Sequence, residues 1–311
     1  MSSTEMVSEA TMQTVVPARP GRRGLTRRQR STISSAVLHT VLIAGAVVFS
    51  IPFVWLVTTT FKTDVEMGAL PPIWIPERLR SWPHDWDAFF LNYRQALTYI
   101  PYWRHMFNSA YISAMNITGE LLACSLVAYG FSGVRFRGRE ALFVLVLSTM
   151  MLPGQVTMVP VFLIYKSLGW YNTLRPLWFR AFTGSAFYIF LLRQFMLTIP
   201  RDLEDAAKID GCGHFRTYSL IVLPLVKPAL AAIAIFTFMG AWNDFVGPLI
   251  YVSDMDLMPL SLGLQMFKGS HGAEWGPLMA ASFIMVLPVV VLFFSAQKYF
   301  IQGVTFTGLK G

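Results

Sequence analysis

The chain has 311 residues, 54% of them hydrophobic and only 14% charged, and carries a net charge of +8. A water-soluble domain holds about 25% charged residues, so the missing charge points to lipid as the main solvent. A soluble enzyme, a disordered chain and a free nucleic-acid binder are disfavoured together.

Residues 1–34 are polar, with Arg19, Arg22, Arg23, Arg27, Arg28 and Arg30 and no helical period. They predict a disordered tail whose arginines meet anionic headgroups. A membrane span needs about 20 mostly apolar residues. Six segments qualify, at 37–60, 106–130, 141–165, 177–197, 224–247 and 277–297. The first holds no Lys, Arg, Asp or Glu, and is too long for the apolar core of a signal peptide. The third is interrupted by Pro153 and Pro160, and the fourth contains Arg193.

Cytoplasmic loops collect Lys and Arg. With the N-terminus inside, the inner segments hold the tail arginines, Arg135, Arg137 and Arg139. They also hold Arg193, Arg201, Lys208, Arg216, Lys227, Lys298 and Lys310. The positive excess then lies on one face, and six spans return the C-terminus to the same side. Topology and anionic lipid account for these bases, so nucleic acid is not expected as a partner.

The outer connection, about 62–105, is rich in Pro and Trp. Asn92, Ala96, Leu97 and Ile100 have helical spacing. Two readings stand: an interfacial helix that places the second span, or a docking surface for an extracytoplasmic partner.

Between the fourth and fifth predicted spans runs the inner stretch 199–224. Pro200 ends the preceding helix, and Asp202 with Asp205 forms a capping-box-like start. Acids at 202, 204 and 205 favour the positive helix end, and Gly211 supplies the stop. A short helix over 203–210 is expected. Ala206 and Ala207 give it a face of small side chains that another protein can approach closely. So short a helix needs packing to be stable.

Asp205-Ala206-Ala207, three residues, Gly211, nine residues and Ile221-x-Leu223-Pro224 resembles the EAA signature of ABC-importer membrane subunits. Asp205 stands where that signature has Glu. Similar runs are 128–138, 151–160, 190–195 and 240–245, together with Gly303-x-x-x-x-Gly308-Leu-Lys-Gly311. These resemble carbohydrate-type permeases, the MalG-like half in particular, over about residues 35–311. The resemblance implies an all-α membrane protein of six transmembrane helices with both termini inside. It also implies a cytoplasmic coupling helix between spans four and five, within a single transmembrane domain at 35–311. Glu204, Asp205, Ala206, Ala207, Asp210, Gly211 and Pro224 would form the coupling contact with an ATP-binding subunit. Gly308 and Lys310 would reach the same subunits. The implied partners are a homologous second permease, two ATP-binding subunits and an extracytoplasmic solute-binding protein. The implied location is a bacterial inner membrane.

The sequence holds no G-x-x-x-x-G-K-[ST] phosphate loop and no metal-ligand spacing around Cys124, Cys212 or its five histidines. The expectation is a transport subunit and not an enzyme, with no cofactor of its own and with ATP and Mg on partner subunits. An ion-gradient-driven secondary transporter or channel is the alternative.

Polar groups inside spans are costly and often functional. Asn116 and Glu120 share a stripe with Ser113, and read as path lining or as helix pairing. Trp242, Asn243 and Asp244 suit either a sugar path, with an aromatic face and planar polar groups, or an interfacial anchor. Gln155 lies where Pro153 and Pro160 free backbone groups for a cavity.

Overall fold

In hydrocarbon every backbone N–H needs an acceptor within the chain, so helices are the natural outcome. A computed structural model describes residues 27–80, 85–269 and 272–307, and most of them are helical. Helix α1 spans Arg27–Thr59, α2 Leu91–Tyr99, α3 Tyr102–Ser132, α4 Arg139–Ser148 and α5 Gly154–Ser167. Helix α6 spans Ala186–Leu197, α7 Arg201–Ile209, α8 Lys227–Trp242 and α9 Trp275–Thr307. An antiparallel ribbon of β1 (Lys268–Gly269) and β2 (Gly272–Ala273) departs from the all-α expectation. Helix begins at Arg27, inside the segment 1–34 expected to be a tail, and residues 1–26 lie outside the described part.

The chain divides into two compact units, Met1–Phe53 and Val54–Gly311, so the division falls within α1. The described part of the first unit is apolar helix with its side chains largely exposed. In the second unit α3 is the central element. It packs against α6, α8 and the 3-10 turn Arg180–Thr183. One apolar cluster gathers Cys124, Ala128, Phe143, Leu192, Val222 and Ile233. A second gathers Ala96, Tyr102, Leu260, Phe267 and Ala281.

Among the described residues three helical segments are long and apolar enough to cross a membrane: Ser34–Thr59, Tyr102–Ser132 and Trp275–Gln297. Three further helix pairs reach that length only when each bent pair counts as one span. The predicted span at 141–165 is Arg139–Met151 followed by Gly154–Ser167, at 97°. Proline disfavours helix at the residue before it, and Leu152 is extended at φ −81°, ψ 113°. Pro160, by contrast, stays inside α5. The predicted span at 177–197 breaks at Gly184, whose φ is +77°. Its regular part, α6, has 12 residues, or about 18 Å, against about 30 Å of hydrocarbon. The predicted span at 224–247 becomes α8, 16 residues long and 77° from His214–Leu225. Pro224 brings no N–H, and a π turn at Tyr218–Val222 precedes it, with the Leu223 N–H reaching the Tyr218 carbonyl.

The connection expected to lie outside, about 62–105, is held by specific contacts. Asn92 is buried and donates to the carbonyls of Thr60 (2.8 Å) and Lys62 (2.9 Å). At Gly276 on α9 a Cβ would stand 2.8 Å from the Asn92 side chain, so glycine lets the two helices close. Thr63 and Glu66 form a full capping box. Burial works against the Glu66 charge. Bonds from the Thr63 and Glu77 N–H groups and the Thr63 hydroxyl, with the Arg78 charge, outweigh it and hold the carboxyl below its ordinary value.

Candidate functional site

The helix α7 starts at Arg201, two residues before the expected position, and ends at Ile209. Pro200 occupies the N-cap and no side chain caps the helix. Asp202 therefore lies in the first turn, and the expected Asp202–Asp205 capping arrangement does not form. Asp205 instead accepts from Lys208 Nζ at 2.9 Å. That bond and the Lys208 charge hold the Asp205 carboxyl below the usual range, with Arg135 and Arg201 adding to the effect.

The C-terminal stop is where glycine was expected. Gly211 has φ +80°. The Cys212 N–H reaches the Ala207 carbonyl (2.8 Å) and the Gly211 N–H that of Lys208 (3.0 Å), a Schellman closure. A Cβ at Gly211 would meet open space, so backbone conformation and not crowding requires glycine here.

Ala206 and Ala207 do not form one outward face. Ala207 is buried against its own chain, while Ala206 is exposed. The outward stripe is Leu203, Ala206 and Ile209, each three residues apart, with Ile209 87% exposed. Leu203 and Ile209 were not singled out from the sequence; their three-residue spacing on either side of Ala206 is the signal that marks them. Glu204 is half-buried, and Asp205 and Asp210 are exposed. Pro224 lies beyond the π turn and not on α7. Gly308 and Lys310 lie outside the described residues.

Basic and acidic groups near this loop are tied to one another. Arg193, read from the sequence as lying inside the fourth predicted span, donates to Glu140 Oε1 at 3.1 Å and to the Phe131 carbonyl at 3.2 Å. Its guanidinium also lies 4.1 Å from the Phe143 ring centroid. Glu140 binds Arg139 as well, at 2.9 Å.

Of the six residues considered for a substrate path, two meet in one cavity. Asn116 and Asp244 line a pocket of about 220 Å³ with Thr237, Leu177, Pro248 and Pro259. Asn116 Nδ2 donates to the carbonyls of Ile112 (2.9 Å) and Leu177 (3.0 Å). Asp244 Oδ1 accepts the Gly247 N–H at 3.1 Å, and its carbonyl accepts from Ser261 Oγ at 2.6 Å.

The other four stand elsewhere. Glu120 accepts the Ser185 N–H (3.1 Å) and the Cys124 thiol (3.0 Å), fastening α3 to the start of α6. Beside it, a Cβ on Gly119 would lie 2.7 Å from the Phe182 ring and 2.9 Å from Ala181 backbone. Trp242 is buried, stacked on Phe238 and bonded to the Met285 carbonyl at 3.2 Å. Its ring is thus not available as a face for sugar in this arrangement. Asn243 is exposed and donates to the Met239 carbonyl at 2.8 Å. Gln155 is exposed on the first turn of α5.

The sequence reading missed the N-terminal end of α3. Arg104 pairs with Asp256 at 3.3 Å. Asn108 donates to the Asp256 and Met258 carbonyls, and Ser109 Oγ accepts the Leu260 N–H at 2.8 Å. These side chains recur along one face at helical spacing, but their partners are about 150 residues away.

A membrane fold of long and broken helices, with a glycine-closed helix in the loop between two of them, defines a transporter's membrane component. Residues 121–306 match the family model described as "Binding-protein-dependent transport system inner membrane component". The chain belongs to that family: it is a membrane-embedded permease subunit of an ABC transport system, and not an enzyme. It is 32% identical to the arabinooligosaccharides transport system permease protein AraQ of Halalkalibacterium halodurans, over 92% of this chain and 100% of that one. It is 31% identical to the trehalose/maltose transport system permease protein MalG of Thermococcus litoralis, over 87% and 96%. A crystal structure of a bacterial ABC transporter involved in the import of the acidic polysaccharide alginate shares the fold. The TM-score is 0.74 at 22% identity, with 88% of this chain and 98% of that one covered.

Proposed function

We propose that this chain forms half of the translocation path of an ATP-driven importer for a sugar or sugar-like solute, and that α7 couples it to an ATP-binding subunit. The observation that carries this is the exposed Leu203–Ala206–Ile209 stripe on a helix closed by Gly211. Such a short helix presents apolar side chains with no cover of its own. A groove in a partner that seats it would bury them.

In this reading the chain crosses the membrane six times with both termini inside. It pairs with a homologous permease, two ATP-binding subunits that hold ATP and Mg, and an extracytoplasmic solute-binding protein. Closure of the ATPase dimer pushes α7. The push passes along the π turn at Tyr218–Val222 into α8, and Asp244 lies two residues beyond the end of that helix. The solute then enters a path that includes the Asn116–Asp244 pocket. The family membership and the sugar systems named for its relatives support the solute class.

The test is purification from native membranes followed by reconstitution. An ATP-binding subunit is expected to copurify, and uptake is expected to need ATP and to survive collapse of ion gradients. Absence of that subunit, or uptake that follows an ion gradient, overturns the reading.

A further inference from the structure

A second cavity stands apart from both the coupling loop and the Asn116–Asp244 pocket. It measures about 690 Å³, within the roughly 300–1,000 Å³ of small-molecule sites. The residue that ends the first span, the start of the outer connection, the end of α2 and the start of α9 all contribute to its walls.

Its chemistry is unusual for a surface cleft. Trp275 and Tyr99 each present a ring that is about half exposed. The Tyr99 ring is held in place by stacking on Phe267, with centroids 5.2 Å apart. Trp55 forms a third aromatic wall. Lys62 is 1% exposed, and its ammonium lies 3.4 Å from the Trp55 ring centroid. Among the described residues no carboxylate stands within ion-pair distance of it. Burial lowers the Lys62 pKa, partly offset by the charge of Glu66. Thr59 also lines the cavity, and its Oγ1 is buried without a hydrogen-bond partner. Two exposed carboxylates, Asp64 and Glu274, complete the lining.

Buried donors without partners are costly unless something supplies acceptors. Here Lys62 and Thr59 have donor capacity to spare, and Asp64 and Glu274 offer acceptors. Aromatic rings give flat apolar faces beside them. One class of ligand matches all three features: a ring whose faces are C–H and whose edge carries hydroxyls. Two carboxylates against one ammonium leave the pocket net negative, which disfavours an acidic ring. We propose that this pocket holds one ring of a neutral sugar on the outer side of the permease, separate from the membrane path. The proposal rests on the importer reading for its topology.

The test uses the assembled permease–ATPase complex in nanodiscs, without the solute-binding protein. Trehalose, maltose and arabinobiose are titrated by equilibrium dialysis, with glucuronate as competitor. At least one neutral sugar is expected to bind saturably, and glucuronate is expected not to displace it. Trp275→Ala and Glu274→Gln should each weaken binding about tenfold or more, Trp275→Phe should retain it, and Asp244→Ala should leave it in place. Binding by none of the three sugars overturns the proposal. So does binding indifferent to Trp275 and Glu274, binding lost in Asp244→Ala, or displacement by glucuronate. Copurification of the ATP-binding subunit in the same preparation reports on the importer reading independently.

Discussion

The helix α7 and the Asn116–Asp244 pocket both concentrate polar residues, but they are built in opposite ways. The carboxylate of Asp205 and the carbonyls of Ala207 and Lys208 find partners within five residues along the chain. Its outward side chains are left for something else to cover. In the pocket, Asn116 bonds a carbonyl 61 residues away and the Asp244 carbonyl meets Ser261, 17 residues on. In the proposed function, the region gripped by another protein is the one folded locally, and the region that changes shape is the one held by contacts between elements, each of which moves when its element moves.

The largest expected effect strikes the inter-element side of this contrast. Gly119→Leu places carbon against the Ala181 and Phe182 backbone, which cannot rotate away as a side chain can. Overpacking of this kind costs about 1–3 kcal/mol or more. The variant should lose its assembled complex or melt far below wild type in a detergent thermal-shift assay; wild-type melting would show that α3 and the Arg180–Thr183 turn are not in close register.

Next comes the local side. Gly211→Val forces a β-branched residue to φ +80°, a strain of about 1–2 kcal/mol that shifts the end of α7. Transport should be abolished with membrane insertion intact, while Gly211→Asn, which tolerates that conformation, should retain most uptake. Ala206→Trp should likewise cut transport without moving the melting temperature, because Ala206 faces outward. Ala207→Trp is a less clean probe, since it would push into the chain's own core. Equal melting losses in both alanine variants would dissolve the distinction between the two faces.

A smaller effect separates two carboxylates. Glu120→Ala leaves the Ser185 N–H with only the weaker Cys124 Sγ acceptor at 3.3 Å, a loss of about 0.5–1.5 kcal/mol that should appear in melting. Asp244→Ala should lower uptake while the ATP-binding subunits stay attached. Reversed outcomes would exchange their roles.

The smallest effect belongs to the Lys208–Asp205 pair. The bond from Lys208 lowers the Asp205 pKa in the folded chain, so its contribution is complete at neutral pH. It fades only as the pH falls through that lowered value. The pair is exposed, and such pairs stabilise little. Lys208→Ala should barely move melting at neutral pH, and added salt should erase what remains. A large salt-resistant loss would mean that Lys208 has a buried partner in the assembly.

Much of the inner loop was legible because its signals are short-range. Pro200, the acids of the first turn and Gly211 act on their own backbone. The error was one of facing: adjacent alanines were read as a single surface, although consecutive residues on a helix point about 100° apart. The polar membrane residues were legible as polar and no further. Nothing in the sequence distinguishes Glu120, bonded to Ser185, from Asp244, which lines a cavity. Trp242 near a span end reads as an interfacial or sugar-facing ring until its contacts with Phe238 and Met285 place it inside.

By itself the sequence determined the solvent, the helical class, the break at Pro153, the glycine stop at 211, and a short helix, expected at 203–210 and found at 201–209. Those follow from composition and from backbone geometry within a few residues. Only the tertiary structure decided which polar side chains satisfy one another and which remain open to a ligand. It put Arg193 on Glu140 and Asn116 beside Asp244. It also brought Lys62 under Trp55 in a cavity with Trp275, more than 200 residues along the chain. Hydrogen bonds and burial depend on distance in space, and a linear pattern carries no record of that distance.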